Sequence, residues 1–149
     1  MVSLRIDIKG DKDLLAGLME RLQDFSPVTK DMGERMRFSI EENFRTGGRP
    51  VPWRPLAKAT VKARARMGKG ATPILILHSF LKNTIAYRAG ADNVIIGAGG
   101  PSTPYARIQQ LGGKAGRGKK VTIPARSYLV IQESDLAYLR KSLTGFLVS

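Results

Sequence analysis

A helical period that stops abruptly narrows the folds open to this chain more than any other feature. From Thr29 to Arg45, Met32, Met36, Ile40 and Phe44 recur every fourth residue with charges between them, and Gly47-Gly48 ends the run. Beyond lie Pro50, Pro52 and Pro55, which forbid a helix interior and keep the backbone extended. A long amphipathic helix is therefore followed by an irregular loop, and its Met and aromatic stripe reads as core, not as a ligand-binding face. The single tryptophan, Trp53, sits in that loop. An indole there serves either as a plug over the core edge, the commoner case, or as an anchor for a partner. Arg49 reads as an exposed charge.

The remaining segments are shorter. Residues 2–9 alternate apolar and polar, the period of a half-buried strand. From Asp11, a candidate N-cap, Leu14, Leu15, Leu18 and Leu22 mark a first amphipathic helix that Ser26-Pro27 stops. Leu56 to Met67 reads as a short helix carrying Lys58, Lys62, Arg64 and Arg66. A buried apolar run follows at 74–77, with His78-Ser79 as candidate cap of a short helix over Phe80 to Lys82. Residues 84–88 and 93–97 predict a hairpin, and Pro104 opens a short helix over Tyr105 to Leu111. Residues 112–120 hold four glycines and four cations, including Lys114, Arg117, Lys119 and Lys120, with too little apolar surface to bury; they read as a flexible basic loop. Val121 and Ile123 restart a strand, and Leu136, Leu139 and Leu143 mark a terminal helix. The fold class is α+β: one domain over 1–149 with an N-terminal strand, two long amphipathic helices, a small antiparallel sheet, a C-terminal helix and long basic loops.

Charge is segregated along the chain. Residues 1–42 carry seven Lys/Arg and nine Asp/Glu, whereas residues 43–132 carry sixteen Lys/Arg and one acid, Asp92, within a total of +13. Such a field favours an acidic partner, nucleic acid or protein, through attraction that salt screens. Without cysteine, disulfide frameworks, zinc–thiolate sites and thiol nucleophiles are excluded, and a single histidine is left for metal or base work. Residues 96–102 lack the third glycine of a dinucleotide fingerprint, and neither Gly68-Lys69 nor Gly113-Lys114 completes a phosphate-cradling loop. Glu34, Glu41 and Glu42 stand beside Arg35, Arg37 and Arg45 on one helix, where surface pairing is the simpler reading than acid–base catalysis. His78 has no orienting acid nearby in sequence. The expectation is a protein without catalytic residues, cofactor or metal. No apolar stretch is long enough to span a membrane and the first residues are not a signal peptide, which predicts a cytoplasmic product.

The order of short signatures carries further information. Phe44 precedes Gly48-Arg49-Pro50 and Trp53-Arg54-Pro55-Leu56 with Thr60; Leu77-His78-Ser79 with Leu81 and Thr84-Ile85 follows. Tyr105-Ala106-Arg107-Ile108 with Gln110-Leu111-Gly112-Gly113 comes next, then Ile123-Pro124-Ala125-Arg126 with Tyr128-Leu129. Together they resemble the phage virion morphogenesis family, the tail-completion proteins of Mu-like tailed phages and prophages. Phe80, Gln109 and Ser127 depart from that pattern, where glycine, histidine and a second proline are common. The resemblance implies a structural late protein acting at the head-proximal end of the tail or the neck, made in the host cytoplasm and then held in the virion. It implies no reaction. Its expected partners are further copies of itself in a ring, a hexamer among the candidate sizes, and tail-tube or neck proteins, with non-specific DNA contact as an added option. The candidate partner surface is Trp53, Arg54, Lys58, Lys62, Arg64, Arg66, Lys114, Arg117, Lys119 and Lys120. Two other classes fit the composition: a nucleic-acid-binding protein whose basic segment tracks phosphates, and a small phage-encoded hydrolase.

Overall fold

The long amphipathic period becomes the axis of the molecule. The structure, a computed structural model, describes residues 12–101 and 103–149; the strand expected at 2–9 and the cap expected at Asp11 lie outside them. After helix α1 (Lys12–Arg21), helix α2 runs from Ser26 to Thr46. Pro27 does not stop a helix, as its sequence context suggested, but sits in the first turn of α2, where its missing N–H costs nothing. At the other end Gly47 takes the left-handed conformation, φ 82°, and its N–H bonds to Asn43 O at 3.0 Å. Met32, Met36, Ile40 and Phe44 are all buried along one face of α2, as their spacing predicts.

Two elements flank this axis. Strands β1 (Ala86–Ala89) and β2 (Val94–Gly97) form an antiparallel hairpin with Ala86 opposite Gly97 and Ala89 opposite Val94. The Tyr87 ring lies directly on Gly33 of α2, so any larger residue at 33 would collide with it; this explains a glycine inside a helix, where it otherwise costs ~1 kcal/mol. Helix α6 (Glu133–Val148) packs elsewhere on α2. Asp31 accepts hydrogen bonds there from Tyr138 at 2.8 Å and Ser142 at 2.7 Å. α6 begins with a capping box between Gln132 and Asp135.

The basic middle of the chain holds helices α3 (Lys58–Arg66), α4 (Phe80–Asn83) and α5 (Ala106–Leu111). Ser79, ahead of α4, has φ 59° and makes no capping bond through its side chain, so the expected cap there is replaced by a backbone turn. Residues 112–120 are not an irregular loop. Strand β3 (Gly113–Ala115) pairs antiparallel with β4 (Val121–Ile123) around a 3-10 turn at Arg117–Lys119. A ladder built from backbone groups needs no apolar side chain, and Gly116 and Gly118 take the positive φ angles, 80° and 69°, that the reversal demands. Among the described residues the β structure is thus two separate two-stranded ladders instead of one small sheet. The class remains α+β.

Candidate functional site

The proline-rich loop after α2 is clamped from both sides. Its Trp53 N–H bonds to Gly47 O at 2.7 Å, and its indole Nε1–H donates to Ser127 O at 3.0 Å. The indole stands edge-on to Phe44, ring centroids 5.7 Å apart, and Phe44 in turn packs on Tyr128. Gly48 (φ 107°) has no room for a side chain, since a Cβ there would sit 2.6 Å from the indole. Arg49 is not an exposed charge. Its Nε donates to Asn43 Oδ1 at 2.9 Å, and its Nη2 to Ser39 O at 2.6 Å and Ser39 Oγ at 3.0 Å. Ser39 Oγ donates to Asp135 Oδ2 at 2.7 Å, and Asp135, fully buried, also takes the Arg35 Nε–H at 3.0 Å. A polar network thereby ties α2, the loop and α6 together. Asp135 was not legible as a member, because Ser39 and Arg35 lie 96 and 100 residues away from it in sequence.

The ten residues of the candidate partner surface divide by burial. Trp53 and Arg64 are buried, at 8% and 6% exposure, so neither stands on the outer surface as the other eight do. Arg54, Lys58, Lys62 and Arg66 are exposed around α3, and Lys114, Arg117, Lys119 and Lys120 are exposed on the β3–β4 hairpin. Arg64 is held by a bond from Nη1 to Pro73 O at 3.1 Å. Arg126, quoted in the sequence signatures but given no role, is equally buried: its Nε and Nη2 donate to the carbonyls of Arg54 and Pro55 at 3.0 and 3.1 Å. Burial holds the Arg126 guanidinium below its ordinary pKa, with Arg54 and Arg64 adding like-charge repulsion.

Arg64 and Arg126 line one cavity of 460 Å³ between α3, the 75–80 turn and α5, with Leu56, Met67, Leu77 and Phe80 among its apolar walls. Gln109 also faces it, and its Oε1 is buried without a hydrogen-bond partner among the described residues. His78 sits at the cavity, exposed, its ring 5.5 Å from that of Phe80. The carboxylates of α2 are paired as the sequence indicated: Arg37 with Glu34 and Glu41, and Arg45 with Glu42. Arg35 is the exception and turns inward to Asp135. Among the described residues no group of three His, Asp or Glu side chains is placed to hold a metal, and no helix is long and apolar enough to cross a membrane.

Comparison with known proteins places these features. The model of the phage virion morphogenesis family matches residues 6–147. This chain belongs to that family. Mu-like prophage FluMu G protein 2 of Haemophilus influenzae is 29% identical over 147 residues, covering 96% of this chain and 95% of that protein. No solved structure matches the chain. The role of this family member is structural, in building phage particles.

Proposed function

We propose that the protein completes the phage tail at its head-proximal end, as a ring of identical subunits, and so makes the tail competent to join the head. The observation that carries this is the family match, which runs from residue 6 to residue 147. The surface is in keeping with it. Cations on α3 and the β3–β4 hairpin stand outward, and large apolar side chains such as Phe80, Leu111 and Ile131 are exposed beyond half of their area, as suits a subunit with neighbours. In this reading the protein is made in the host cytoplasm, carries out no reaction and ends in the virion at the tail or neck.

Deleting the gene from an inducible prophage and viewing the lysate by electron microscopy tests the proposal. Filled heads and separate tails, restored to joined particles by the gene in trans, are expected. Joined, infective particles without the gene would overturn it, as would intact tails beside heads that fail to fill with DNA.

A further inference from the structure

The two buried guanidinium groups of Arg64 and Arg126 have no carboxylate within salt-bridge distance among the described residues. Three backbone carbonyls take one N–H of Arg64 and two of Arg126, whereas a guanidinium carries five N–H donors. A buried charge left without a counter-charge is costly, and here two of like sign share one cavity. Gln109, one of the cavity residues, holds a buried acceptor, Oε1, that lacks a donor among the described residues, and Leu56, Met67, Leu77 and Phe80 give the cavity apolar walls. An occupant that satisfies all three must bring an anion, an N–H and an apolar side chain together. A peptide does so: a carboxylate answers the arginines, a backbone N–H answers Gln109, and a neighbouring aliphatic side chain covers the walls. A nucleic acid brings a phosphate anion and base N–H donors but no aliphatic side chain for the Leu and Met walls.

We propose that this cavity is a docking site for a partner-protein segment that presents an Asp or Glu carboxylate beside an apolar residue. It rests on the reading above only in taking that partner to be another virion protein. The segregated charge of the chain fits, since the cavity lies wholly within the cationic stretch 43–132, whose single acid, Asp92, is not among the cavity residues. The exposed cations Arg66, two residues from Arg64, and Arg54, whose carbonyl accepts the Arg126 Nε–H, extend the positive field towards an approaching acidic segment.

The test uses the full chain and a defined probe, the peptide acetyl-Leu-Glu-Leu-amide, with its Leu-Gln-Leu counterpart as neutral control. Saturable NMR shifts are expected in the Arg64 and Arg126 Nε–H signals and the Gln109 amide, with the glutamate peptide about tenfold tighter than the glutamine peptide. Equal binding of the two peptides, no shift at millimolar peptide, or tighter saturation of the same signals by a short oligothymidylate would each overturn the proposal. Arginine variants risk unfolding, so the supporting variant is Phe80→Glu at the exposed cavity wall. Its carboxylate competes for the arginines, and a weakening of about tenfold at unchanged unfolding midpoint is expected; unchanged affinity in this folded variant overturns the proposal. A gene deletion that leaves particles normal would remove the tail-completion reading while the peptide result stands by itself.

Discussion

Removing the Trp53 indole empties a space bounded by Phe44 and Gly48 and deletes the bond to Ser127 O, so both packing and a buried polar contact are lost at once. Trp53→Ala is expected to lower unfolding stability by ~3–5 kcal/mol, measured by chemical denaturation. Unchanged stability would show that the ring is not the plug the structure makes it. Arg49→Ala belongs with it and not with surface charges. It strips Asn43 Oδ1 and Ser39 of their donor inside the network that reaches Asp135, and a loss of ~1.5–3 kcal/mol is expected, against a few tenths for an exposed charge such as Lys62→Ala. The plug was legible from one indole among prolines. Arg49 was not, because a cation looks solvent-bound until the partners that bury it are known. Arg64 misleads in the same way: its place in a basic run suggested an outward face, yet the cation turns inward to Pro73 O.

At the scale of elements, the Met and Phe stripe of α2 gave away its buried face because α-helical spacing is a local property, and the β1–β2 hairpin was legible from its turn for the same reason. The β3–β4 hairpin was missed because apolar alternation is the signal for a strand, and a Gly- and Lys-rich ladder held by backbone bonds emits none. The hairpin contributes no core residue, so deletion of residues 113–119 is expected to leave a single cooperative unfolding transition at modestly reduced stability. Loss of cooperativity would place the hairpin within the folding unit. Helix α2 and β1 are also joined by a titrating contact. Glu34 accepts the Tyr87 hydroxyl at 2.9 Å and pairs with Arg37, and these, the tyrosine bond foremost, hold its carboxyl below the ordinary 4.5. The carboxylate is easier to form in the folded than in the unfolded chain, so its stabilisation is complete above that value and is lost as pH falls through the lower folded pKa. Tyr87, by the same bond, is pushed up. Glu34→Gln is expected to reduce the acid-side fall in melting temperature while leaving the cysteine-free core intact; an identical acid profile in variant and parent would show the contact to be energetically silent.

Across the whole molecule, the net charge of +13 makes some attraction to DNA unavoidable, because any cation cluster gains from releasing condensed counterions at low salt. DNA retention in dilute buffer therefore separates nothing; its salt dependence does. A subunit whose cations serve neighbours in a tail or neck should bind DNA without sequence preference and release it near physiological salt. A genuine reader of nucleic acid should hold one sequence there by base contacts. The hairpin provides the lever, since Lys114, Arg117, Lys119 and Lys120 are all exposed and their reversal to glutamate disturbs no buried group. That fourfold variant is expected to fold with a near-parental melting temperature and to lose the residual DNA binding seen at low salt. The same variant, tested for complementation of the deleted prophage gene, reports whether the hairpin faces protein. If it docks on an acidic neighbour, eight units of charge change at a contact should block head joining although the subunit is folded. Particles that still form would move the docking surface to α3 and the arginine-lined cavity, where Lys58, Lys62, Arg64, Arg66 and Arg126 stand. Tight, sequence-preferring DNA binding at physiological salt, abolished by the reversal together with particle formation, would replace the tail-completion role with that of a nucleic-acid-binding protein.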